Sequence, residues 1–167
     1  MHEPTATHHV YILSRVVGEI LAFCEREAPC EALGVVVGER CQCEGQRYVR
    51  VVDWGTGAAD AGPAHARFTP EGVAEYHIEL DERYGADRDR PHLVGVFHSH
   101  PFGGEPSLSE RDLATFGGFP YDTPGNVFIL VTPRTGHFLV FVRESSGQLV
   151  EQEWVEYAPF AGTADGH

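Results

Sequence analysis

His98-Ser99-His100 closes an apolar run, "HLVGVFHSH", and is succeeded by Pro101 and the pair Gly103-Gly104. Side chains of an extended strand alternate faces, so the two imidazoles point one way and Ser99 the other. Two imidazoles on one face are half of a zinc site. A chance HxH is unremarkable in a chain with ten histidines, but the next dozen residues add to the signal. Pro101 stops the strand and the glycines let the backbone double back. That turn can bring Asp112 of "SERD" within coordinating range. Two neutral imidazoles, one carboxylate and an open fourth position are the ligand count of a catalytic zinc. Ser109-x-x-Asp112 has a second reading that needs no metal. It is a capping-box pattern, in which the Ser hydroxyl accepts a backbone N–H and the Asp reaches back.

Zinc-assisted hydrolysis also needs a base to take a proton from water. Glu31 is the candidate, since it opens "EALGVVVG" immediately before apolar residues. A carboxylate there lies either at a solvated strand end or inside a site. The other histidines lack partners at ligand spacing: His8 and His9 near the terminus, His65 in a loop, and His77 on a helix. His92 shares the strand face of His98 but stands roughly 20 Å away by strand rise. Cys24, Cys30, Cys41 and Cys43 include no CxxC pair and read as reduced, mostly buried thiols.

Periodicity supplies the secondary structure around these residues. A short strand, His9 to Leu13, precedes a helix that Ser14 can cap, with an apolar stripe of Val17, Ile20, Leu21 and Cys24 ended by Pro29. Ala32 to Gly38 reads as a buried strand, Arg47 to Trp54 as its partner, and Gly55 to Arg67 as a loop of small residues and turn formers. Thr69-Pro70 starts a second helix with the stripe Val73, Tyr76, Leu80 and Tyr84. After the strand His92 to His100, a short helix begins near Ser109, with Leu113 and Phe116 facing inward. "NVFILVT", "HFLVFVRE" and "LVEQEWVEY" give three closing strands. Strands and helices mix without a regular βαβ rhythm, so the pattern predicts an α/β fold with a mixed sheet flanked by helices.

A length of 167 residues suits a single domain, here residues 1–160, with a mobile tail at 161–167. The N-terminus lacks a secretory pattern and no apolar stretch would span a bilayer, which predicts a cytoplasmic protein with no membrane role. The net charge of −13 argues against a nucleic-acid partner, which requires clustered cations. All 12 Lys-plus-Arg positions are Arg, as a GC-rich genome would favour.

The combination Glu31, His98-Ser99-His100-Pro101 and Ser109-x-x-Asp112 resembles the JAMM motif of MPN-domain zinc metalloproteases. "PCEALGVVVG" resembles that family's first catalytic strand and "LVGVFHSHP" its second, and the resemblance runs from about His9 to Tyr157. It implies the MPN (JAB) fold, a mixed curved β-sheet flanked by helices with cytidine-deaminase-like architecture. It also implies that His98, His100 and Asp112 ligate one zinc ion per chain, with water as the fourth ligand. Glu31 would then activate the water and hand its proton to the leaving amine, and Ser109 would stabilise the oxyanion. The implied reaction is peptide or isopeptide hydrolysis after the C-terminal Gly of a ubiquitin-like or sulfur-carrier protein, as in prokaryotic stand-alone members. One departure stands out: eight residues, Pro101 to Leu108, separate His100 from Ser109 where the family usually has seven. Pairing Ser107 with Glu110 would leave six and put Glu in place of Asp.

Three other readings fit less of the pattern. A zinc nucleobase deaminase carries HxE and PCxxC, and this chain has HSH and no CxxC. A two-His-one-carboxylate iron oxygenase would leave Glu31 without a role. A non-catalytic MPN scaffold would not need the ligand positions and Glu31, all of which are present.

Overall fold

The computed structural model describes residues 9–102, 109–116 and 123–159. The expected C-terminal tail, most of the Gly-rich turn after His100, and residues 117–122 lie outside them. One eight-stranded sheet carries the architecture, in the order β10-β1-β3-β2-β6-β7-β8-β9. Its strands are β1 (His9–Leu13), β2 (Leu33–Cys43), β3 (Gln46–Gly55), β6 (His92–Ser99), β7 (Val127–Thr132), β8 (His137–Arg143), β9 (Leu149–Gln152) and β10 (Trp154–Tyr157). The helices are α1 (Ser14–Glu27), α2 (Pro70–Tyr84) and α3 (Glu110–Phe116), and β4 (Ala59–Gly62) pairs with β5 (His65–Phe68) as a separate hairpin. The sheet is mixed: β1 runs parallel to β3 and β10, β6 runs parallel to β7, and the remaining pairs are antiparallel.

The closing segment "LVEQEWVEY", expected as one strand, divides at Glu153. β9 pairs with β8 on one edge and β10 with β1 on the other. A chain that passes between the two edges across a single residue requires a sheet curled until those edges nearly meet. The Trp154 indole N–H fastens the seam by donating to the Phe138 carbonyl at 3.1 Å.

Two apolar clusters fill the two sides of the sheet. Val16, Ile20 and Cys24 of α1 pack with Val36, Val94, Phe97 and Ile129. Tyr76 of α2 and Phe116 of α3 pack with Leu33, Val35, Val96 and Phe128. The core stripe of α1 is thus centred on Val16, with Val17 and Leu21 at its margin. Ser14 does not cap that helix. The N-cap is Leu13, without a side-chain bond, and the Ser14 hydroxyl instead donates to the Tyr157 carbonyl at 3.0 Å, tying α1 to β10. Thr69 does cap α2, accepting the Gly72 N–H at 3.0 Å.

The β2–β6 register slips between Val36 and Val37, whose partners are Gly95 and Leu93. Leu93 and Val96 therefore pack in one cluster while Val94 and Phe97 pack in the other. This bulge puts His92 on the face opposite His98, against the expectation of a shared face. Among the described residues, no helix is long and apolar enough to cross a membrane.

Candidate metal centre

β6 ends in the middle of the sheet, between β2 and β7, and delivers His98 and His100 to one place. Their Nε2 atoms are 3.3 Å apart. His98 Nε2 lies 3.0 Å from Asp112 Oδ1, and His100 Nε2 lies 3.0 Å from Asp112 Oδ2. The three ligands expected from the sequence therefore converge, and each can offer one ligand atom within 4.8 Å of the others. Nitrogens bound ~2.0–2.1 Å from a tetrahedral zinc stand about 3.3–3.4 Å apart. The spread of the two imidazoles fits such an ion, and two nitrogens with one carboxylate oxygen suit it chemically.

Asp112 caps its helix and at the same time faces both imidazoles. The Ser109 hydroxyl accepts the Asp112 N–H at 3.1 Å, and Asp112 Oδ2 accepts the Ser109 N–H at 2.8 Å. The reciprocal cap fixes the carboxylate at the start of α3, and the carboxylate so fixed faces the imidazoles. Burial works against its charge. The hydrogen bonds of His100 and His98 and the Ser109 N–H outweigh that and hold it far below the usual carboxylate range. The hydrogen bond to Asp112 raises the His100 imidazole, with burial opposing. Leu113 points outward and is 48 % exposed, contrary to expectation. Asp112 and Phe116, four residues apart, take the inward face of this short helix, which turns Leu113 away.

Glu31 is buried, which settles its two readings in favour of the interior. It lines a cavity of about 300 Å³ together with His98, Asp112 and Phe116. Burial pushes its carboxyl above the ordinary value, with the charges of His98 and His100 opposing. Its backbone is held from two sides. The Glu31 N–H donates to the Gly62 carbonyl of the hairpin at 2.8 Å. The next residue, Ala32, donates its N–H to the Ser99 hydroxyl at 2.7 Å and accepts the Ser99 N–H at 3.0 Å.

Ser99 is one of three residues to which the sequence reading gave no role at the site. Pointing to the face opposite His98 and His100, it clamps the segment that carries Glu31 to the end of β6. Arg143 is the second. Buried at the end of β8, its guanidinium donates to the Phe116 carbonyl at 2.5 Å and lies 5.2 Å above the Phe128 ring. The Phe116 ring in turn sits 5.0 Å from that of His98, so Arg143 pins the far end of the helix that carries Asp112. His65 is the third. The segment expected as a loop forms the β4–β5 hairpin, and His65 lines the cavity beside Glu31. None of the three left a local signal in the sequence.

The chain matches the family described as prokaryotic homologs of the JAB domain over residues 13–142. Its fold is similar to the solution structure of protein DSY2949 from Desulfitobacterium hafniense, with a TM-score of 0.66 and 21 % identity over 95 % of this chain and 99 % of that one. No curated protein matches. A match that begins at the last residue of β1 and ends one residue short of the end of β8 spans the frame that carries these side chains, and the chain belongs to the family of prokaryotic homologs of the JAB domain.

Proposed function

We propose that the protein is a zinc-dependent peptidase or isopeptidase that hydrolyses the bond after the C-terminal Gly of a ubiquitin-like or sulfur-carrier protein. The observation that carries this reading is that a buried Glu31 opens into the same cavity as His98 and Asp112. His98, His100 and Asp112 would hold the ion, which when bound acidifies water and polarises the scissile carbonyl.

The remaining chemistry belongs to the chain. Glu31 takes a proton as the oxygen of water adds to the acyl carbon, and returns it to the nitrogen as the C–N bond breaks. A carboxyl raised by burial is better suited to that exchange near neutral pH than an exposed one. The Ser109 hydroxyl accepts the Asp112 N–H, which leaves its own proton to donate to the developing oxyanion. We infer a cytoplasmic setting from four free cysteines, which suit a reducing compartment.

The test is to incubate the zinc-loaded protein with a ubiquitin-like protein bearing a C-terminal extension and to read intact mass. Cleavage after the terminal Gly, lost in Glu31→Gln while zinc stays bound, is the expected result. Bound zinc without cleavage would overturn the reading and favour a non-catalytic scaffold.

A further inference from the structure

Of the four thiols only Cys24 is buried, against the expectation that most would be; Cys41 is half-buried and Cys43 exposed. These two flank a single Gln at the end of β2. Here β2 and β3 pair without a slip, from Gly38 against Val51 to Cys43 against Gln46. The two-residue turn Glu44-Gly45, with φ of 50° and 79°, closes the ladder as a tight hairpin. Alternation along so regular a strand puts both thiols on one face.

That spacing decides what the pair can do. Residues i and i+2 of a strand stand about 6.6 Å apart, two rises of about 3.3 Å. A disulfide needs Cβ atoms about 3.5–4.5 Å apart, so Cys41 and Cys43 cannot join unless the hairpin ladder breaks. An ion held between the two sulfurs asks for less. Two metal–sulfur bonds of about 2.3 Å in line span about 4.6 Å, so each side chain leans only about 1 Å toward the other.

The ion follows from the kind and number of the ligands. Thiolates are soft and select soft ions such as Cu(I). A structural zinc would want four ligands. Among the described residues the one group of three or more His, Cys, Asp or Glu able to share an ion is His98, His100 and Asp112, so no third ligand joins this pair. Cu(I) accepts two in line. The Tyr48 phenol, cross-strand from Cys41, hydrogen-bonds its sulfur, and that bond pushes the phenol up, so it keeps its proton at neutral pH. Its ring is braced edge-on against Tyr11, with centroids 5.9 Å apart. A donor so placed orients the ligand that it bonds.

We infer that Cys41 and Cys43 form a two-thiolate site for Cu(I). Binding releases the proton of each thiol to solvent. The site stands apart from the candidate metal centre. Leu33 pairs with His98, and Cys41 lies eight residues further along the same strand, roughly 26 Å away by strand rise. The two sites also sort their ions, zinc to imidazole and carboxylate, Cu(I) to sulfur. None of this depends on the peptidase reading.

The test is an anaerobic titration of Cu(I) into the zinc-loaded protein, read by thiolate-to-copper absorption in the ultraviolet and by metal content after desalting. One Cu(I) per chain, with zinc retained, is the expected result. Cys41→Ser and Cys43→Ser each abolish that binding, and Cys30→Ser keeps it. Gln42→Cys combined with Cys43→Ser probes the register, since it keeps two neighbouring thiols but turns them to opposite faces; it should bind no copper. An unchanged melting temperature shows that each variant is folded. A parent protein that retains no copper, or takes it up only by displacing zinc, overturns the site. So does copper held equally by the register variant. A Cys41–Cys43 disulfide formed on mild oxidation and found by peptide mapping overturns it as well, because the strand would then not be holding the sulfurs apart.

Discussion

Ser99→Ala removes a hydroxyl that no solvent reaches and that accepts the Ala32 N–H at 2.7 Å. On the same side of the strand, Cys24 of α1 is buried as well, and burial pushes its thiol up to about 12. Neither water nor a charged group is at hand to replace the lost acceptor. An amide N–H left buried without a partner costs about 1–3 kcal/mol. In a domain of this size each kcal/mol moves the melting temperature by about 2–4 °C, so the variant should melt about 2–12 °C lower. Because Ala32 comes directly after Glu31, the lost clamp also loosens the proposed base. Cleavage should therefore fall further than zinc content. Ser99→Thr separates the two effects: it keeps the oxygen but adds a methyl to a filled site, where overpacking costs about 1–3 kcal/mol. It should melt low yet keep its activity per folded molecule. Thermal denaturation of the metal-free and zinc-loaded forms, with zinc measured on the same samples, reads all of this. A Ser99→Ala protein melting within a degree of the parent would falsify the assignment of the Ser99 hydroxyl as the clamp.

Glu31→Gln should raise the stability of the metal-free protein at neutral pH. A carboxyl raised by burial above its ordinary 4.5 favours folding below that value and loses the contribution as pH rises through the folded pKa. The gain should therefore vanish near pH 4, which melting curves from pH 4 to 7 will check. Asp112→Asn keeps an acceptor for the Ser109 N–H but removes the anionic ligand, whereas Asp112→Ala removes both. Both should lose zinc on dialysis, and only the alanine variant should also lose about 0.5–2 kcal/mol of helix-cap stability. Gly95→Ala would set a Cβ 1.9 Å from the Val127 carbonyl, forcing β6 and β7 apart beneath the ligands. A cost of about 1–3 kcal/mol or more should appear in urea denaturation, with weaker zinc retention.

The strand that ends at His98 and His100 was legible because its signal is local. Alternation alone puts His98 and His100 on one face, and Pro101 marks where that face must end. Thr69 and Pro70 announce α2 in the same way. The β4–β5 hairpin was not legible, because Ala59, Ala61, Gly62 and Ala66 have little strand propensity. What holds it comes from elsewhere in the chain: the Glu31 N–H on Gly62 and the Thr69 N–H on Ala58. The bulge beside Gly95 escaped for a related reason. It arises where β2 and β6 slip against each other, and neither strand carries it alone.

The sequence left open where the Glu31 carboxylate sits and what the Asp112 carboxylate does, and the structure adds contacts to each. Nothing near Glu31 says whether its carboxylate meets water. A hairpin 31 residues later and a serine 68 residues later fix the backbone there, and the side chain is buried at the edge of the cavity. For "SERD" the alternatives were not exclusive. A carboxylate at the third position of a helix must bend back toward the helix start to cap it, and at this helix start that direction leads to His98 and His100. Capping is thus the means by which Asp112 is aimed, since one oxygen takes both the Ser109 N–H and the His100 imidazole. A cap pattern directly after a strand-ending HxHP therefore does not count against a ligand role. It supplies the rigidity that a ligand at the mouth of a Gly-rich turn would otherwise lack.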